Sequence, residues 1–141
     1  MPTIRRFEEI EAWQTGRELT QKVYALSNAG TFARDFGLRD QMRRAAGPIM
    51  SNISEGFESS AQPQFVEYLG RAKASAGELR SQAYVALDAA YITHNQFQEL
   101  MDLCKKCSGQ ISRFMSYLQK NSDSRRVREN NAEYYVERLE G

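Results

Sequence analysis

The sequence predicts an all-α protein, an antiparallel up-down-up-down four-helix bundle with a kinked second helix. Three observations predict it. Apolar residues recur at steps of three and four in four long segments, no segment shows the alternation of a strand, and only a few residues separate consecutive segments. At 141 residues the chain is long enough for one good core. Residues 1–120 are assigned to the bundle, and residues 121–141 to a C-terminal tail that is partly disordered or docks on a neighbour.

The first segment, 8–28, aligns Ile10, Trp13, Leu19 or Thr20, Val23 and Leu26. Glu8, Glu9 and Glu11 at its start suit the positive end of a helix dipole, and Asn28-Ala29-Gly30 reads as a stop. The second, 35–57, places Leu38, Met42, Ala45, Ile49, Ile53 and Phe57 on one stripe. Pro48 lies inside that stripe, where it removes a ladder hydrogen bond and its ring clashes with the Arg44 carbonyl. Because the period continues beyond it, the expectation is one bent helix with Gly56 as the left-handed residue past its end. Ser60 reads as the N-cap of a third helix, 61–91, with Pro63 in the first turn. Phe65, Leu69, Ala72, Ala76, Leu79, Ala83, Leu87 (or Ala86) and Ala90 form its near-heptad seam, whose alanines admit close helix approach. The fourth segment, 95–120, carries Phe97, Leu100, Met101, Cys104, Cys107, Ile111, Met115 and Leu118 in register. The tail has too few apolar residues for a core element, although Tyr134, Tyr135 and Leu139 could dock from a short helix.

Composition excludes several functions. No apolar run is long enough to span a bilayer, and MPTIRRFEEIEAW reaches acidic residues before any signal-peptide core, so the expected compartment is cytoplasmic with no membrane partner. Net charge is +1, split as +2 over residues 1–120 and −1 over the tail. Any electrostatic function therefore needs local clustering. Cys104 and Cys107 form a CxxC pair on one helix face. With His94 as the one histidine, they fall short of a four-ligand zinc site and lack the βαβ context of a redox motif. Core packing is the simpler role for them. Phosphate-binding glycine loops, HExxH and paired Glu-x-x-His motifs are absent as well. The chain is read as non-enzymatic, with no metal and no cofactor.

Two sets of polar residues remain. Arg39, Arg43 and Arg44 on the second helix, with Lys73 and Arg80 on the third, are candidates for nucleic-acid phosphates. The ordinary alternative for each is a solvated helix face. Asn52 and Glu55 lie close to the apolar stripe and read as a buried, hydrogen-bonded structural network.

Phe7, Ile10 and Trp13, then Gln41-Met42-Arg43-Arg44-Ala45-Ala46, then Ser51-Asn52-Ile53-Ser54-Glu55-Gly56, then Ala72-x-x-Ser75-x-x-Glu78-Leu79 follow a known pattern. In these motifs, over residues 7 to about 118, the chain resembles the bacterial four-helix-bundle family of 23S rRNA intervening-sequence proteins. It is also similar to the accessory variability protein of diversity-generating retroelements. It departs where Pro48 replaces a usual Ser, Met50 a frequent Pro, and Ala74 a Gly. The resemblance implies signature roles for Trp13, Asn52, Glu55, Gly56, Ser75 and Glu78. It also implies a homopentamer and, by way of the retroelement members, RNA or DNA and a reverse transcriptase as partners. Two functions follow as expectations: a nucleic-acid-associated oligomer using symmetry-repeated Arg/Lys patches, or a protein-binding scaffold that does not touch nucleic acid.

Overall fold

In the computed structural model, which describes residues 4–59 and 61–120, all regular structure is helical. A 3₁₀ turn at Phe7–Glu9 leads into α1 (Glu11–Ser27), and a second at Gly30–Arg34 leads into α2 (Phe36–Glu58). Then come α3 (Gln62–Asp88) and α4 (His94–Gln119). Consecutive helices pack on one another, and α4 closes the ring against α1. Ser60 and residues 121–141 lie outside the described residues, so the tail assignment and the Ser60 cap do too. The N-cap position of α3 is Ala61, with Pro63 in the first turn.

The starts of α2 and α4 and the end of α3 carry hydrogen-bonded caps. The Asp35 carboxylate accepts from the Leu38 N–H at 3.1 Å and so caps α2. Thr93 and Gln96 form a reciprocal capping box at the start of α4, with bonds of 3.1 and 2.9 Å. At the end of α3 the Ala86 carbonyl accepts from Tyr91 and the Leu87 carbonyl from Ala90, both at 2.9 Å, which closes a Schellman turn. Ala90 pays for that turn with a φ of 61°, a conformation that crowds its Cβ. Ala90→Gly is expected to raise stability by about 0.5–1 kcal/mol, after allowing for the greater freedom of glycine in the unfolded chain. A denaturant melt checks this.

The α2 stripe is buried over its whole length, and the helix runs unbroken through Pro48. Side-chain donors gather around the proline. The Thr20 hydroxyl of α1 sits 3.3 Å from the Ala46 carbonyl, and the Asn52 amide donates to the Pro48 carbonyl at 2.8 Å. Gly56 is not the end of α2. It lies inside the helix, and a Cβ there would come within 2.7 Å of Phe65 Cδ1 and 2.9 Å of Tyr68 Cβ. Its role is to let α3 approach.

In α3 the alternative seam residue Ala86 is the buried one, Leu87 is half-buried, and Ala90 falls beyond the helix; in α4, Phe114 fills the core beside a half-buried Met115. Phe114 meets Phe65 edge-to-face at 5.5 Å, and Phe65 meets Phe57 at 6.2 Å.

At one end of the bundle the connections are tied together. Tyr91 stacks on Phe32 at 5.2 Å, and its hydroxyl donates to Asp35 at 2.9 Å. The Leu38 N–H, and then this hydroxyl, hold the Asp35 carboxyl below its usual range. Since a lowered carboxyl favours the fold only while ionised, this contribution is present above the unfolded value near 3.8. It is lost as pH falls through the lower folded value.

Candidate nucleic-acid interface

Of the candidate basic residues, Arg39 and Arg43 lie at the α1–α2 groove, Arg80 lies at the α3–α4 groove, and Arg44 and Lys73 are exposed. In α1, Gly16 packs against Ile49 and Met50, and Thr20 reaches Ala46, so the stripe Trp13, Arg17, Thr20 and Tyr24 borders α2. Along this border three guanidinium groups lie over three aromatic rings. Arg17 is 5.9 Å from the Trp13 ring centre, Arg43 is 4.5 Å from Tyr24, and Arg39 is 4.7 Å from Phe36. Such contacts join a cation to the negative face of a ring.

Two of the arginines are also fixed by hydrogen bonds. Arg43 Nε donates to the Ser27 hydroxyl at 2.9 Å. Arg39 donates to the Ala33 carbonyl and to the Asp40 carboxylate, both at 3.2 Å. Asp40 is half exposed, so that ion pair is screened by water and weak. Arg44 is exposed on the outer side of α2.

Lys73 and Arg80 lie elsewhere. Arg80 is close enough to Cys104 of α4 to act on its thiol, which places it at the α3–α4 groove. Arg80 Nε is buried without a hydrogen-bond partner, and Lys73, two turns earlier on the same face, is exposed. Within one chain these two do not join Arg39, Arg43 and Arg44.

The signature residues occupy varied environments. Trp13 is buried, with Phe7 edge-on to it at 5.3 Å. Asn52 and Ser75 are half-buried. Glu78 is exposed and accepts from Gln82 at 3.3 Å. Glu55 corrects the expected buried network, because it is exposed. Two residues beyond Ile53 on a helix is a rotation of about 200°, which turns Glu55 away from the core. It lines an open cleft of about 720 Å³ with Glu58, Glu67, Tyr68 and Arg71, where Arg71 is paired to Glu67 at 2.8 Å. Three carboxylates make this end of the molecule a poor seat for phosphate.

Both cysteines are free and fully buried, and Cys107 points its thiol at the Ala12 carbonyl, 3.6 Å away. Burial pushes both thiols up to about 12. Among the described residues no group of three metal-ligating side chains forms. At pH 8 roughly one thiol in ten thousand is ionised, so an aromatic disulfide reagent is expected to leave the native protein unlabelled. In guanidinium it should titrate two thiols per chain.

Fold and surface together describe a small helical bundle with three arginine–aromatic pairs along the α1–α2 groove and a fourth, Arg71 over Tyr68 at 5.1 Å, in the acidic cleft. Residues 8–113 match the family model of the 23S rRNA-intervening sequence protein, and the chain belongs to that family. The chain is also similar in fold to a protein of unknown function from the S23 ribosomal protein family of Bacteroides thetaiotaomicron. That crystal structure superposes with a TM-score of 0.69 at 17% identity, over 74% of this chain and 95% of the other. No curated protein matches the chain. Among the described residues, no helix is long and apolar enough to cross a membrane.

The sequence reading missed Arg17, Tyr24 and Phe36 as parts of this groove. Trp13–Arg17 and Phe36–Arg39 were available as helical neighbours, four and three residues apart. The Tyr24–Arg43 contact joins two helices and has no local signal.

Proposed function

We propose that the protein is a non-catalytic, RNA-associated helical bundle that holds phosphate groups along the α1–α2 groove and acts as a homo-oligomer. The observation that carries this reading is the line of Arg17, Arg43 and Arg39 over aromatic rings, with the last two fixed by hydrogen bonds. Arginines already held in place lose little freedom when they bind phosphate. The family name supports an association with ribosomal RNA sequences. Repetition of the groove around a closed ring, five copies as the family resemblance implies, would compensate for a chain charge of only +1.

The test is a salt titration of RNA binding by the whole chain, alongside light scattering. Affinity is expected to fall steeply with salt. Replacing both Arg39 and Arg43 by Gln should reduce the slope of log affinity against log salt by about 1.4–1.8, the loss of two phosphate contacts. Salt-independent binding, or an unchanged slope, overturns the reading. The mass should be about five times 16.2 kDa; a monomer at micromolar concentration removes the repeated groove.

A second reading, a protein-binding scaffold, draws on Tyr84 and Val85, each 52% exposed on α3. Tyr84 meets Phe97 of α4 edge-to-face at 4.9 Å. Exposed aromatic anchors of this kind are common in protein interfaces. The retroelement resemblance makes a reverse transcriptase one such partner.

A further inference from the structure

We infer that the α1–α2 groove takes unpaired RNA, with bases stacking on the Tyr24 and Phe36 platforms; this rests on the proposed phosphate-binding role of the same groove. Tyr24 is 47% exposed and Phe36 62% exposed, the latter the most open large apolar side chain among the described residues. The core does not need either ring. Each carries a guanidinium over one face, at 4.5 and 4.7 Å, and keeps much of its remaining surface in water. Phosphate contacts alone would require arginines and no rings. A flat ring beside a flat guanidinium is suited to a base, because both surfaces stack on a π-face.

The form of the strand follows from where its bases are. In a duplex they are paired and stacked in the interior, and the major groove of an RNA helix is too narrow for side chains to read. An exposed ring can reach only a base that has left the stack. The contacts are not selective for one base, so the preference is for strand form and only weakly for sequence.

The experiment compares a labelled, uridine-rich single-stranded RNA with an RNA duplex of equal length, using anisotropy across a salt series and the full chain. The single strand is expected to bind at least tenfold more tightly. Tyr24→Ala and Phe36→Ala should each weaken single-strand binding by about 5- to 150-fold, the range for one lost stacking contact, and leave the salt slope unchanged. Tyr24→Phe keeps the ring and should retain most of the affinity. Thermal melts of the alanine variants verify folding, which the exposure of both side chains favours.

Equal or tighter binding of the duplex overturns this inference while leaving the phosphate reading intact, as does wild-type affinity in both alanine variants. Failure to bind either RNA at low salt overturns both. A change in oligomeric mass on losing either ring assigns that ring to a contact between chains, and also overturns the inference.

Discussion

Phe65→Ala is expected to lower the unfolding free energy by about 3–5 kcal/mol, enough to leave a domain of ordinary stability close to unfolding. Phe65 is fully buried, and its ring connects Phe57 of α2 to Phe114 of α4 through two edge-to-face contacts. Removing it leaves a cavity where three helices meet and also deletes both aromatic pairs, each worth about 0.5–1.5 kcal/mol beyond area burial. The effect belongs in the upper part of the range. Urea melts monitored by circular dichroism measure it; a loss below 1 kcal/mol would show that the site collapses without a cavity.

Gly56→Ala is expected to destabilise by about 1–3 kcal/mol, although alanine is the better helix former. Two effects compete. Helix propensity favours alanine by about 1 kcal/mol, while the added methyl would lie 2.7 Å from the Phe65 ring and 2.9 Å from Tyr68 Cβ. The ring can shift, but Tyr68 Cβ is fixed to the α3 backbone, so the two helices must separate. Steric repulsion therefore wins. Gly77→Ala is the internal control, because an added Cβ at that exposed position meets nothing within 4 Å. It should stabilise by about 0.5–1 kcal/mol. In a double-mutant cycle, Gly56→Ala and Phe65→Ala should cost less together than the sum of the two, since deleting the ring relieves one of the close contacts.

Gly56 also marks the limit of what a local pattern can reveal. The four helices were legible because 3.6-residue periodicity is written in each segment, and in α2 the stripe Leu38, Met42, Ala45, Ile49, Ile53 and Phe57 is buried as that pattern requires. A glycine near the end of an apolar stripe looks like a helix stop when only its neighbours are visible. Its actual partners, Phe65 and Tyr68, sit on the next helix, and nothing within α2 encodes their distance. Glu55 was misplaced for a different reason: it is three residues after Asn52, which itself lies at the edge of the stripe, and that step carries Glu55 further round the helix from the core. The candidate interface was half legible. Arg39 and Arg43 were visible as a basic pair, and Phe36 is a helical neighbour of Arg39, but the Tyr24 ring beside Arg43 depends on how α1 lies against α2.

Tyr91 has a consequence for how the molecule opens. The α1–α2 hairpin and the α3–α4 hairpin are each continuous in sequence, and such units commonly unfold as separate foldons. At the Asp35 end they are not separate. One residue in the α3–α4 connection stacks on Phe32 and hydrogen-bonds the group that caps α2, across a sequence separation of 56. Neither hairpin can swing away at this end without exposing Phe32 and breaking the Tyr91–Asp35 hydrogen bond. An opening at this end therefore involves both hairpins at once, and the Tyr91 contacts tie their local unfolding together.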